Sequence, residues 1–585
     1  MKRKDLIKII KSFSSISFDK LIEVLNVKKP SNIKKMKKLV SSLVKNKEIT
    51  IDDEKNLIVL KEKEIIHKDK KENVKKSKTP PDKTKFTAKD DFYIITEKYK
   101  IRREFPESVL KEANELNFKV DEEKRLDLRK KMIFTIDGAD AKDLDDAVSI
   151  DTKSTGFRLG VHIADVSFYV SKNSKLDKEA KKRGNSYYFI NKVVPMFPFA
   201  LSNHLCSLNP NEDKLTLSIF MDIDKNGEIK KYEIFPSIIC SKYRLTYDYV
   251  ESYLRGEVEI EDKNLKKSLD EMNVLFRILN KRRIENGSID FDFKEQKIEL
   301  DDNDEPVKVW LKERLDAERI IEEFMLAANK CVAKFLSERE ISLYRVHEEP
   351  EEHKLRSFIR MALRLGHKIQ GNPVPDAFAI QKILKEVKDK PHKELINHIL
   401  LRSMQQARYQ TENFGHYGLG FEFYTHFTSP IRRYADLIVH RLIRHFLFEK
   451  DKPLPYSKDE LSKIATHISN TERIAMEMER EFYKIKSLRF MKGMEGKKFG
   501  AIISGIINLG IFAQIEKYGI EGMIRFADME DDYYIFDEVN YCAIGKRTRK
   551  KFVIGDKIKV EVVSVRVEKG FLNLKIVEKN RVTGT

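Results

Sequence analysis

The stretch TIDGADAKDLDDAVSID, residues 135–151, constrains this chain more than any other. Asp137, Asp140, Asp143, Asp145 and Asp146 crowd into it directly after an apolar run. Two like charges ~4 Å apart cost about 4 kcal/mol at an effective dielectric of 20, so such a group either splays into water or surrounds a cation. MIFTID reads as a strand ending at Asp137, and DDAVSID as a second strand starting at Asp145. The intervening loop then lets the first and last carboxylates face each other across neighbouring strand ends. A hard divalent cation such as Mg2+ takes oxygen ligands and keeps waters. Two such ions ~3.5–4 Å apart suit an in-line displacement at phosphorus. A calcium loop is a poorer fit, because D-x-D-x-D-G with a distal glutamate is not met. A solvated acidic turn is the bland alternative.

The rest of the chain favours the cation. The 585 residues carry a net charge of +19, and about two-thirds of the excess falls in the first hundred residues. That imbalance points to a polyanionic partner, nucleic acid first. A basic chain that keeps one concentrated acidic spot keeps it for a reason. Cys206, Cys240, Cys331 and Cys542 lie far apart without metal-finger or redox spacing, as expected of reduced packing residues in a cytoplasmic protein. Lys8 and Lys11 interrupt any signal-peptide core, and no apolar run is long enough to span a membrane.

The chain reads as a multidomain α+β protein. Residues 1–60 carry three helical patterns, with Ser17 as a cap of the second, followed by two short strands in EITIDDEKNLIVL. Together they make a winged helix-turn-helix whose lysines contact nucleic acid or form a solvated face. Residues 61–102 are a charged linker with Pro80 and Pro81. Residues 103–490 form one large α+β domain, in which FRLGVHIADVSFYV and KLTLSIFMDID alternate as strands and AERIIEEFMLAANKCVAKFL and DLIVHRLIRHFLF have helical periodicity. Residues 491–580 read as a five-stranded OB-type barrel. On it, Phe499 and Phe512 are candidate exposed stacking platforms for bases; their alternative role is to fill the barrel.

The aspartate motif resembles the central motif of the ribonuclease II and ribonuclease R family of bacterial 3′–5′ exoribonucleases. Further blocks follow in the family's order: GVHIADVSFYV, RGNSYYFINKVVPMFP, LSNHLCSLNPNEDKLTLSIFMDI, LYRVHEEPEEHKL, NFGHYGLG and HFTSPIRRYADLIVHRLI. The C-terminal segment resembles an S1 RNA-binding domain, and the basic start fits the ribonuclease R branch. The resemblance implies an RNB catalytic domain and metal-dependent, processive hydrolysis of single-stranded RNA from its 3′ end, releasing nucleoside 5′-monophosphates in RNA turnover and quality control. It implies Mg2+ as cofactor, with Mn2+ as a substitute and two ions at the site. Asp137, Asp143 and Asp146 would be the ligands, and Asp145 the residue whose loss abolishes chemistry but spares binding. Arg432 would meet the scissile phosphate and Arg433 would add an RNA contact. Tyr188 and Phe291 would stack the 3′-terminal bases, with Tyr187 as a neighbour of the same type. Tyr247, Glu322 and Glu323 would lie near the terminal ribose, and Glu479 matches a further RNA-contacting position. The chain would act as a monomer away from membranes, with a helicase, the ribosome or a degradation complex as candidate protein partners. One departure stands out: about forty residues separate NLIVL from REFPESVL, too few for the two cold-shock barrels usual in the family. The rival readings are a non-catalytic RNA-binding protein that keeps the fold, and a duplex-DNA regulator built on the winged helix.

Overall fold

A computed structural model describes residues 87–118, 125–289, 294–367, 376–390, 392–538 and 540–579, with short stretches at 16–17, 40, 49–51 and 56–59. The chain divides into two units, Met1–Lys85 and Phe86–Thr585. In the first, Ile49–Ile51 and Asn56–Val59 pair antiparallel, as the alternation of EITIDDEKNLIVL predicts, and Ile16–Ser17 adds a third strand to Asn56–Val59. Ser17 thus belongs to a strand. The three helices expected here fall, apart from buried Val40, outside the described residues.

The second unit is organised by a seven-stranded sheet. Its order runs Tyr243–Thr246, Phe134–Asp137, Asp146–Lys153, Gly156–Ala164, Asp213–Asp224, Ile229–Cys240 and Leu126–Asp127. The central strands pair antiparallel, and both edge strands join parallel. Asp213–Asp224, a central strand, is buried along eight consecutive residues, 214–221, so both of its faces are covered. Alternation alone cannot set register in such a strand. A buried polar chain does so instead. Ser149 Oγ meets His162 Nε2 at 3.0 Å, His162 Nδ1 meets Ser218 Oγ at 2.7 Å, and Ser218 continues through Ser237 to Thr216. A one-residue slip would strand each of these groups without a partner. Gly160 makes the approach feasible, since a Cβ there would lie 2.4 Å from Ser149 Oγ.

GVHIADVSFYV does not continue as one strand. Pairing stops at Ala164, and Asp165 turns the chain: its Oδ1 accepts from Ser167 Oγ and Phe168 N, starting the helical turn Val166–Tyr169. Its Oδ2 accepts from Arg125 and Arg444 at 3.0 Å each, so the fully buried carboxylate is neutralised by two cations. The helices Asp316–Ser337 and Tyr434–Phe448 form where the sequence periodicity places them, and the second is buried on all sides from Tyr434 to Arg444.

Three helices, Glu352–Arg364, Ala377–Val387 and Lys393–Ser403, lead by way of the long helix Lys458–Met491 into a closed five-stranded barrel. The barrel order is Lys498–Ile507, Gly510–Ile515, Ile520–Arg525, Phe571–Lys579 and Lys557–Arg566. A separate small sheet, Tyr534–Asp537, Cys542–Gly545 and Lys551–Val553, is inserted between its third and fourth strands, a feature the sequence reading did not separate. Leu355, Phe358, Ile396, Leu488 and Met491 share one apolar core with barrel residues Ala501, Ile503 and Val560. Phe499 and Phe512 are half-buried rather than exposed, and Phe499 packs edge-on against Tyr518. All four cysteines are free, three of them buried. Among the described residues no helix is long and apolar enough to cross a membrane.

Candidate active site

Phe134–Asp137 and Asp146–Lys153 are antiparallel neighbours, paired at Phe134 and Val148. Asp137 therefore ends one strand where Asp146 begins the next, one residue later than the sequence suggests, and the loop between them carries the other carboxylates. On the other side Thr246 stands opposite Asp137 in the parallel edge strand. Thr246 Oγ1 accepts from Tyr249 N and so caps the helix Tyr247–Leu254, which starts Tyr247 beside the acidic cluster.

The SPIRR turn supplies the basic wall. Ile431 N donates to Asp145 Oδ1 at 2.8 Å, and Arg432 Nε lies 3.4 Å from Asp145 Oδ2. That ion pair lacks hydrogen-bond geometry, so Asp145 Oδ2 has no donor. Arg432 Nη2 donates to Ser429 Oγ at 2.8 Å, and the side chain keeps 42% of its surface exposed. Arg433 is placed differently. Its Nε and Nη2 grip fully buried Asp436 at 2.9 and 2.8 Å, and Asp436 also accepts from Ser429 N. Arg433 therefore shapes the turn that presents Arg432. Ser186 N donates to Arg432 O, tying the turn to the strand Tyr187–Tyr188. Side chains alternate along a strand. Tyr187 points into the core and donates to Arg183 O, whereas Tyr188 faces the cluster and donates to Asp143 Oδ2 at 2.7 Å.

The electrostatics are those of a crowded, dry acidic site. Burial, then repulsion from Asp146, pushes Asp137 up to about 8, while Arg244 opposes the rise. Burial pushes Asp146 up to about 6 against the pull of Arg432 and Arg433. Burial also raises Asp145, which Arg432 and the Ile431 amide counter. Tyr188 and Tyr247 are raised by burial and by the neighbouring aspartates.

Two buried carboxylate oxygens, Asp137 Oδ2 and Asp145 Oδ2, have no hydrogen-bond partner. Asp145 Oδ2 has the Arg432 guanidinium 3.4 Å away, whereas no ion pair meets Asp137 Oδ2 among the described residues, and a cation is the natural occupant there. Among the described residues no three carboxylate, imidazole or thiol groups form a set that would hold a metal unaided. Carboxylate oxygens are the donor type a hard divalent cation takes, with water completing its shell.

The remaining expected residues that are described make contacts of their own. Glu323 is buried in a pair with Arg283 at 2.8 Å and also accepts from Asn280. Glu322 pairs with Arg314. Phe291 lies outside the described residues. Glu479 and Phe512 line a groove of about 590 Å³ between the long helix and the barrel, with Tyr483 and Phe571. Sequence reasoning passed over Ser207 and Arg244, which bond the backbone of the aspartate loop. Ser207 lies within a recognised block and Arg244 outside them, and a lone serine and a lone arginine carry no chemical signature of their own.

The fold and the site together define an RNB-type nuclease domain joined to an S1 RNA-binding domain. The RNB domain family model matches residues 125–449, and the S1 RNA binding domain model matches 492–576. Ribonuclease R of Aquifex aeolicus is 41% identical over 508 residues, covering 85% of this chain and 71% of its own length. The structure of Mycoplasma genitalium RNase R in complex with ribose-methylated single-stranded RNA matches with a TM-score of 0.81 at 34% identity, over 84% of this chain and 78% of that one. The same protein in complex with double-stranded RNA matches with a TM-score of 0.76 at 32% identity, over 84% and 83%. The chain belongs to the ribonuclease R family of exoribonucleases.

Proposed function

We propose that this chain hydrolyses single-stranded RNA processively from the 3′ end, releases nucleoside 5′-monophosphates, and depends on Mg2+ or Mn2+, with two ions the arrangement the family resemblance implies. The observation that carries the reading is the buried Asp137 Oδ2, which has no hydrogen-bond partner, in an acidic cluster whose Asp145 is met by a half-exposed Arg432. Asp137, Asp143 and Asp146 would hold the cation, which supplies Lewis acidity and a nucleophilic hydroxide when bound. Arg432 meets the scissile phosphate and stabilises the charge that develops on it. Asp145 is fixed by the Ile431 amide and keeps Arg432 aimed. Tyr188 offers its ring to the terminal bases while its hydroxyl reads the state of Asp143. Tyr247, beside the cluster, stands where a ribose 2′-hydroxyl would separate RNA from DNA. The single-stranded RNA held by the Mycoplasma relative supports this choice of substrate. In the cell the activity would serve RNA turnover and quality control.

The test is a time course on a 5′-labelled single-stranded oligoribonucleotide, in Mg2+ and in EDTA, with the small products identified. Progressive shortening, 5′-monophosphate release and a block by EDTA are expected, and Asp145→Asn should bind the RNA but leave it intact. RNA that is bound yet uncut in both Mg2+ and Mn2+ would replace the nuclease reading with that of an RNA-binding protein.

A further inference from the structure

Asp143 and Asp145 sit on a stretch, Gly138–Asp145, that has no helix or strand of its own and begins with three exposed residues, 138–140. A loop so charged would spread unless something outside it held it. Two side chains from distant parts of the sequence do so, one from each side. From within the fold, Ser207, with no exposed surface, donates its hydroxyl to Lys142 O at 2.9 Å and accepts from Leu144 N at 3.1 Å. It thereby bridges the backbone on both sides of Asp143. Leu208 N donates to Leu144 O and Ala164 N to Asp145 O, extending the same fastening. From the outer side, exposed Arg244 gives Nη2 to Ala139 O at 3.0 Å and Ala141 O at 2.6 Å. Its strand is the edge partner of Phe134–Asp137, with Arg244 opposite Thr135, so it references the loop to the sheet that carries Asp137.

We propose that Ser207 and Arg244 are positioning residues that hold Asp143 in place against Asp137 and Asp146, and so set the affinity for the divalent cation. The inference rests on the metal-dependent reading above and deepens it. A hydroxyl can serve a carbonyl and an amide at once, which alanine cannot. Removing it leaves the buried Leu144 N–H and the Lys142 C=O without this partner, and a loop relieves that by moving. Ligand oxygens must hold their places within a few tenths of an ångström, so such movement appears first as weaker metal binding. Fasteners with a purely structural role would instead reduce melting temperature and RNA affinity together.

The experiment uses the full chain, as wild type, Ser207→Ala, Arg244→Gln and Arg244→Lys. Mn2+ binding without RNA is read by electron paramagnetic resonance. The Mg2+ midpoint of hydrolysis, kcat at saturating Mg2+, single-stranded RNA affinity in EDTA and melting temperature complete the set. The Mn2+ dissociation constant and the Mg2+ midpoint should rise about tenfold or more in Ser207→Ala and Arg244→Gln. RNA affinity should be unchanged and kcat at saturating Mg2+ within about threefold of wild type. Arg244→Lys keeps the charge and a donor for each carbonyl but not the planar, rigid guanidinium that aims them, and should fall between wild type and Arg244→Gln. A midpoint and Mn2+ affinity within twofold of wild type in Arg244→Gln overturn the proposal, and because this side chain is exposed that arm holds even where Ser207→Ala fails to fold. A wild-type chain that neither binds Mn2+ nor cuts RNA fails the parent reading instead, which is a distinct result.

Discussion

Arg432 gives the sharpest quantitative expectation. Its Nε lies 3.4 Å from Asp145 Oδ2, and Asp145 is 3% exposed. At that distance an ion pair is worth about 5 kcal/mol at an effective dielectric of 20. With the guanidinium 42% exposed, water screens it, and about 1–2 kcal/mol is the usable part. Burial already raises Asp145 and Arg432 opposes the rise, so Arg432→Ala drives it further up. The acid limb of kcat/KM should move to higher pH. Loss of the contact to the developing phosphate charge should lower kcat/KM by a further factor of about 10²–10³. Arg432→Lys keeps a charge near Asp145 but not the planar fork, so its acid limb should stay near wild type while its kcat/KM falls. The assay is a set of pH–rate profiles on one single-stranded RNA at fixed, saturating Mg2+. An Arg432→Ala enzyme within threefold of wild type, with an unshifted acid limb, would refute the assignment of Arg432 to both Asp145 and the phosphate.

Other expectations follow from single contacts. Tyr188→Ala should leave a longer final RNA fragment on a sequencing gel, whereas Tyr188→Phe, which keeps the ring and loses only the bond to Asp143, should leave the wild-type fragment. Glu323→Ala removes the carboxylate paired with buried Arg283 and should cost about 3–5 kcal/mol, read as a lower melting temperature. Burial pushes His162 down to about 3, so the folded chain stays neutral there while an unfolded imidazole takes a proton below about pH 6.5. Stability from this group is therefore present above pH 6.5 and is lost as pH falls, at about 1.4 kcal/mol per unit. Urea unfolding of wild type should weaken by about 2 kcal/mol more between pH 6.5 and 5 than that of His162→Gln.

What the sequence disclosed and what it withheld divide along contact range. The strand ending at Asp137 and the helices 316–337 and 434–448 were legible because their signals are local: an apolar run, or a 3.6-residue period. The five strands of the barrel were legible for the same reason, but their inserted sheet was not, since alternation does not say which strands pair. Glu323 illustrates the limit at the site. A glutamate on a helix reads as a solvated face, and only the fold brings Arg283, forty residues earlier, against it. Asp165 had the same fate, hidden inside a run that looked like one strand because its two arginine partners are remote in sequence. The choice between Tyr187 and Tyr188 needed only the direction of one short strand, which the chain order could not give. The acidic cluster was visible from its charge alone, whereas the residues that hold it in shape had no charge pattern to show.

The core shared by the barrel and the three helices before it has a consequence for anyone who cuts or swaps this molecule. The S1 segment is a unit of descent, recognisable across families from residue 492 to 576. It is not a unit of folding here, because Leu488 and Met491 of the preceding helix are buried among its strands and Phe358 and Ile396 complete the same interior. A chain ended near residue 491 would carry an open apolar face into solvent, and a grafted S1 barrel would need to bring a matching surface with it. Evolution has exchanged such barrels among many proteins, yet in this one the joint has been welded, so the seam drawn by ancestry and the seam drawn by cooperativity run in different places.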